Sequence, residues 1–557
     1  MSASAEGRRM LGQILKAHGA ARESDIQRAL AEQRKQGGLI GQLLVAMGAT
    51  DQAAVTRALA EQAGLDSVDL DQVAPEADAL SLVDKSIAHT FGVLPLRIEG
   101  GTLVVALSDP LNQAVLEDLS FSVGTPVRGV VGNPEQLKAA VLQHYGAEDS
   151  LEEALAAAKA VDGSDPEAAA QSKPVVRLLN SILHRAIRDR ASDVHFEVYD
   201  TSFRIRYRVD GALYEVESPP RHLCVPLISR IKVMANLDIT EIRLPQDGRI
   251  ELSIDGRPVD LRVATLPSQA GEGAVLRILD RSAVSLDLTA LGIEGETEAT
   301  LRALTRLPHG IVLVTGPTGS GKTTTLYAML AEANEPDVKI ITVEDPVEYD
   351  LEGIVQVPIH EDIGVTYAAV LRSILRQDPD KILVGEIRDG ETASTAVEAS
   401  LTGHTVFATI HTNDAPSTVA RLLDMGIEPF LLTATLEAVV AQRLVRTVCP
   451  DCAVEVEPEE ELLLELGPDA DLLRGRRIRY GRGCATCHHT GYKGRTAIHE
   501  LLLMDDDLRS LIQKGASTED LRRAAQGRGM RSLRGAGLAL VASGRTTVEE
   551  VLRETLS

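Results

Sequence analysis

Four short apolar runs set the pattern of the second half of the chain. IVLVTG from Ile311, KIITVE from Lys339, KILVGE from Lys381 and TVFATI from Thr405 are continuous and rich in β-branched residues. Buried parallel strands read this way, so from about Leu286 the chain predicts an α/β core of strand, loop and helix. After Asp424 the pattern reads as mostly helical, interrupted by a stretch that carries cysteines. Between Pro174 and Arg281 the period is different. A helix over Val175–Arg190 leads into the alternating strands FRIRYRVDGALYEV and RIELSIDGRPVDLRVATLP, an α+β domain.

The first part of the chain repeats itself. Met10–Gln33 and Leu39–Gln62 align at an offset of 29 residues, with Gly12 matching Gly41, Leu15 Leu44, Gly19 Gly48 and Gln33 Gln62. Each copy predicts a short helix, a glycine stop and a second helix opened by a polar turn. Two copies are too few for a solenoid and make a small helical module. Beyond it, VLPLRIEGGTLVVALSD (Val93–Asp109) predicts a hairpin closed at Gly100–Gly101. Residues 147–173 are dominated by alanine and acids and read as a linker, partly helical and solvated. The expected modules are 1–146 (repeat 10–62, then a small α/β part 63–146), linker 147–173, 174–285, 286–448 and 449–557.

Charge narrows the function classes. Lys plus Arg is 57 and Asp plus Glu is 81, a net charge of −24, with no Trp, 9 Tyr and 6 Phe. Such a chain lacks a phosphate-attracting field and stacking platforms, so no nucleic-acid partner is expected. The acids cluster in 147–173 and 454–465, whereas Arg204, Arg206, Arg208, Arg243, Arg249, Arg262 and Arg277 crowd the α+β domain. The start MSASAEGRRMLGQ lacks the apolar core of a signal peptide and no run spans a membrane, so a cytoplasmic location is expected.

The chemistry sits in five places. Gly316, Pro317, Thr318, Gly319, Ser320, Gly321, Lys322 and Thr323 form GPTGSGKT between a strand and a helix. The glycines let backbone N–H groups approach phosphate, the helix start adds about half a positive charge, Lys322 reaches the β- and γ-phosphates and Thr323 can ligate Mg²⁺. In ILVGEIRD a strand ends in Glu386, where a carboxylate can hold Mg²⁺ or its water. In VEDPVEY, Glu344 and Asp345 lie at the same edge and can orient or deprotonate a water. In GHTVFATIHTN, His411 follows a buried strand and can contact a γ-phosphate, while His404 reads equally as a satisfied structural histidine. Cys449-x-x-Cys452 and Cys484-x-x-Cys487, 31 residues apart, point to structural Zn²⁺, with redox chemistry the rival and LLLELGPDADLL a helical excursion between them. The fifth cysteine, Cys224, reads as a small buried residue.

From about Pro174 to Ser557 the chain resembles the secretion ATPases that power type II secretion, type IV pilus assembly and DNA uptake. GPTGSGKT resembles their Walker A, VEDPVEYD their Asp box, RQDPDKILVGEIRD their Walker B and LTGHTVFATIHTND their His box. ASDVHFEVY and RLPQDGRI resemble the domain before the motor core. The resemblance implies a multidomain α/β protein: a RecA-like P-loop core preceded by an α+β domain and an N-terminal helical and α/β module, with a zinc-binding helical C-terminal region. It implies ATP, Mg²⁺ and Zn²⁺, a homo-hexamer, Glu344, Glu386 and His411 in catalysis, and Arg262 and Arg277 reaching phosphate. It further implies cytoplasmic domains of inner-membrane secretion-platform proteins as partners and peripheral association with that membrane. Two departures stand out: Gly271-Glu272-Gly273 replaces a common G-E-R, and Ile242 precedes Arg243 where arginine is usual. Small features such as DMGIEPFLL and AQRLVRTVCPDC resemble the type II secretion branch more than the pilus branch. The repeat resembles a cyclic-di-GMP-binding domain, but Met10 and Leu39 occupy its arginine positions. That favours a structural docking module, with cyclic-di-GMP binding as the other reading.

Overall fold

The computed structural model describes residues 10–36, 39–83, 85–110, 114–145, 151–161, 165–254, 257–280 and 286–555. The chain forms two compact units, Met1–Val284 and Ser285–Ser557.

In the first unit the repeat folds as four helices, Leu11–Ala17, Glu23–Gln36, Ile40–Ala46 and Gln52–Ala63. The first helix of each copy is stopped by a glycine with φ +67°, Gly19 and Gly48. Gly12 and Gly41 serve packing instead. A Cβ on Gly12 would stand 3.1 Å from Ile26, and one on Gly41 2.7 Å from Val55, the equivalent residue of the second copy. Met10 and Leu39 are exposed at the residue before each first helix. A four-stranded sheet follows, in the order Ser67–Val68, Val127–Gly132, Thr102–Leu107, Val93–Glu99. Its hairpin closes at Gly100 and Gly101, both with positive φ.

The stretch after residue 150 departs from the expected solvated linker. Leu151–Ala158 is a helix whose Leu151, Ala154, Leu155 and Ala158 are buried in the same core as the helix Lys173–Arg188. Those positions are spaced i, i+3, i+4 and i+7, an apolar stripe that the acidic composition of the whole stretch conceals. The rest of the unit is an antiparallel six-stranded sheet: Ala212–Glu217, Phe203–Val209, Asp193–Val198, Gly271–Asp280, Arg257–Ser268, Gln246–Ile254. Phe196, Phe203 and Tyr207 fill its core, and the Tyr207 hydroxyl donates to the Ile182 carbonyl.

In the second unit all four apolar runs become strands of one seven-stranded sheet. Its order is Val355–Pro358, Ile340–Glu344, Lys381–Val384, Thr405–Ile410, Gly310–Thr315, Leu436–Val448, Tyr492–Leu503. Every pair is parallel except the last. One face packs on helices such as Tyr367–Ile374, Gly390–Leu401 and Ala415–Asp424, the other on Lys322–Ala333 and Gly295–Thr305. Burial on both faces is why these strands lack polar alternation.

Here too the chain after Asp424 departs from expectation, since two long strands precede the C-terminal helices. LEAVVAQRLVRTV (Leu436–Val448) is buried almost throughout, so neither period is visible in it, and only pairing with the P-loop strand decides its shape. The expected excursion between the cysteine pairs is present as the helix Glu460–Leu466 and a following 3₁₀ turn. It buries Leu463, Leu466 and Leu473 against Leu538, Val541 and Val551 of the terminal helices. Among the described residues no helix is long and apolar enough to cross a membrane.

Candidate functional site

Parallel strands deliver their C-terminal ends to one edge, and the candidate residues gather there. The P-loop leaves the strand Gly310–Thr315 and enters the helix Lys322–Ala333. Gly316 has no room for a side chain: a Cβ would stand 2.4 Å from the Gln442 carbonyl and 2.6 Å from Ser320 Oγ. Gly321 adopts φ +84°, which turns the chain into the helix. Pro317, Thr318 and Gly319 are exposed, while Ser320 is buried. Among the described residues the Ser320 hydroxyl has no hydrogen-bond partner, an orphan that a phosphate oxygen in the loop would satisfy. Lys322 is buried and folds back, donating to the carbonyls of Gly316 at 2.8 Å and Pro317 at 3.1 Å. Burial pushes its ammonium down to about 8, Glu386 pulls it up and Arg443 pushes it further down. Thr323 is half-buried in the first helical turn.

Glu386 and His411 meet. Glu386 Oε1 lies 2.9 Å from His411 Nε2, and its Oε2 accepts from Arg388 Nε at 2.8 Å. His411 Nδ1 lies 3.2 Å from the Gly316 carbonyl. A carboxylate and a carbonyl only accept, so the ring keeps both bonds only with a hydrogen on each nitrogen. The loop after His411 is stapled to the P-loop strand, because Thr412 N donates to Thr315 Oγ1 at 2.9 Å and the two hydroxyls lie 2.6 Å apart. His404, at the other end of that strand, bonds the Ala399 carbonyl and Thr402, a structural role.

Glu344 stands apart from this cluster. Its carboxylate is buried and accepts from the Tyr327 and Thr342 hydroxyls and from Gln356 Nε2 at 3.2 Å. Burial and the neighbouring Glu344 charge push the Tyr327 hydroxyl well above the phenol range. Tyr327 lies one turn beyond Thr323, so Glu344 braces the P-loop helix while Asp345 is exposed.

Arg262 and Arg277 lie in the first unit, opposite one another on neighbouring strands, with Arg249 opposite Arg262 on the next. Asp193 pairs with Arg277 at 3.1 Å, and Arg249 pairs with Asp260 and with Glu251, so acids flank this arginine ladder.

The four thiols Cys449, Cys452, Cys484 and Cys487 have all their sulfurs within 4.8 Å of one another. The spacings are 3.9 Å for Cys449–Cys484, 3.9 Å for Cys452–Cys487 and 3.7 Å for Cys484–Cys487. Four thiolates about 2.3 Å from a tetrahedral Zn²⁺ stand about 3.8 Å from each other, so the donor set fits that ion. Burial works against a Cys487 thiolate, but the amides of Cys484 and Gly491 bring its thiol down to about 6. His488 and His489 are exposed and outside the cluster, and Cys224 is buried in the first unit.

Several residues at the site carry no motif. Gln442 donates to the Ser320 carbonyl at 2.8 Å and accepts from the Thr325 hydroxyl, and His499 Nε2 stands 3.2 Å from its Oε1. Arg443 follows it, buried beside Gly316. The one available signal was a polar pair interrupting the apolar run AVVAQRLV.

The description of type II/IV secretion system proteins matches residues 168–553, and that of the MshEN domain matches residues 63–151, the α/β part rather than the repeat. The chain is 43% identical to the type IV pilus assembly ATPase PilB of Myxococcus xanthus, over 98% of both chains. It is 53% identical over 382 residues to the type II secretion system protein HxcR of Pseudomonas aeruginosa, 69% of this chain and 77% of that one. It is 44% identical over 499 residues to the type II secretion system protein E of Dickeya dadantii, 87% of this chain and 99% of that one.

Proposed function

The chain belongs to the type II/IV secretion system protein family, and on that premise we propose that it hydrolyses ATP to ADP and phosphate to power protein export through a type II secretion system. The observation that carries the motor reading is the corner where Lys322 and His411 meet at the Gly316 carbonyl and Glu386 pairs with His411. The branch is supported by identity of 53% to a type II secretion protein over 382 residues.

In this reading ATP enters with its phosphates on residues 316–323. Lys322 exchanges its own loop carbonyls for phosphate oxygens, and Ser320 and the helix start donate as well. Thr323 holds Mg²⁺, which when bound neutralises charge on the β- and γ-oxygens. Glu386 orients the water for in-line attack, His411 reports the γ-phosphate to Gly316, and Glu344 acts in catalysis through the helix it braces. Arg262 and Arg277 bring guanidinium to phosphate in a homo-hexamer, coupling hydrolysis to closure. Zn²⁺ on the four thiols cross-links the excursion. The partners are cytoplasmic domains of inner-membrane secretion-platform proteins, which hold the motor peripherally on that membrane.

Type IV pilus assembly is the second reading, favoured by the end-to-end match to PilB. Cyclic-di-GMP regulation through the N-terminal module goes with that reading, against which Met10 and Leu39 of the repeat supply no guanidinium. Purified full-length protein should hydrolyse ATP, and Lys322→Ala should not. Equal rates would sink the motor reading. Pull-down with the full chain should retain a secretion-platform cytoplasmic domain, and retention of a pilus-platform domain instead would reverse the branch.

A further inference from the structure

The long strand Leu436–Val448 runs beside the P-loop strand, with Ala441 opposite Thr315. The next two residues interrupt its apolar run, and the second is a buried arginine, 9% exposed. Arg443 Nη2 donates to the Asn413 carbonyl at 3.0 Å, and Nη1 to the Gln442 carbonyl at 3.3 Å. Nη1 also stands 3.2 Å from where a side chain on Gly316 would begin. Among the described residues no carboxylate comes within ion-pair distance of it, and Asp414, Glu500 and Glu554 act on it only from further away. Burying a guanidinium on carbonyl partners alone is costly, and an apolar residue would fill the space at less expense.

Its position gives the reason. Asn413 belongs to the loop that carries His411, and Gly316 opens the P-loop. That loop is held by Thr315 on one side and by Arg443 on the other. We propose that Arg443 is a positioning residue for the hydrolysis assigned above, tying the His411 loop to its own strand beside the first residue of the P-loop so that the imidazole stands against the phosphate site. This rests on the ATPase reading.

The test is a double-mutant cycle on the full chain with MgATP. Arg443→Lys keeps the charge and loses the fork that spans two carbonyls. Its kcat should fall about tenfold or more while KM for ATP stays within about threefold. Adding it to His411→Ala should cost no more than about a further twofold, because both act through one loop. Full kcat in Arg443→Lys, or losses that multiply in the double variant, would overturn the proposal. Amide exchange on wild-type protein supplies a readout that needs no variant: Thr412 and Asn413 should exchange as slowly as the strand Thr405–Ile410, and rapid exchange there would also overturn it. A wild-type chain that hydrolyses no ATP would instead sink the underlying reading.

Discussion

The phosphate corner and the thiol cluster both join distant segments, but they are built in opposite ways. The thiol cluster is two knuckles of identical chemistry, and its four sulfurs would supply everything a tetrahedral metal needs. The corner draws different groups from several strands: a loop from the end of one, Glu386 from the end of another, His411 from the end of a third and Gln442 with Arg443 from the middle of a fourth. A site of identical ligands is lost as a whole when its metal leaves, whereas a site of dissimilar groups loses its functions one at a time. The two also share no ligand, although both rest on the sheet that ends in Leu436–Val448 and Tyr492–Leu503.

The largest effect that sharpens this contrast is Lys322→Ala. ATP hydrolysis should fall by about a thousandfold, measured as phosphate release, while bound zinc stays at about one per chain. Next is Glu386→Gln, which keeps the shape and removes the charge. Turnover should drop about a hundredfold with nucleotide still bound, and a large rise in KM instead would mean Glu386 serves binding. The reverse experiment strikes the other region. Cys449→Ser with Cys452→Ser should abolish zinc binding and open residues 449–487 to protease, with turnover changed by less than about threefold. A collapse of turnover would show the two regions to be energetically one.

The smallest effect concerns acid. Burial pushes His499, beside Gln442, from its ordinary 6.5 down to about 4. Its folded value is depressed, so the unfolded chain binds the extra proton first. The contribution is complete above pH 6.5 and is lost as pH falls toward 4, up to about 3 kcal/mol at the acid end. Denaturant midpoints for His499→Gln should decline less steeply across pH 6.5 to 4 than those of wild type. Parallel curves would assign the acid sensitivity elsewhere, for example to protonation of the thiolates.

How far each site could be read beforehand follows from the same contrast. A phosphate cradle requires consecutive backbone N–H groups, so GPTGSGKT is contiguous and visible. Metal-binding thiols come in pairs of fixed spacing, and the long insert obscured nothing because its two ends pair with each other, Ala453–Val456 on Ile478–Gly481. Gln442, Arg443 and His499 had no such signature, since each belongs to a pair of polar residues inside a largely buried strand. Glu344 was legible as an acid at a strand end, but not its engagement with Tyr327, Thr342 and Gln356.

The sequence by itself determined the four parallel strands, the repeat with its glycine stops, the P-loop and the thiol pairs. In each, the physical requirement is local: a period, a turn or a ligand spacing. Only the tertiary structure decided that Leu151–Ala158 is buried, that Leu436–Val448 is a strand and that Arg443 stands beside Gly316. Those outcomes depend on what packs across from each segment, and an apolar run carries no record of its partner until the sheet has formed.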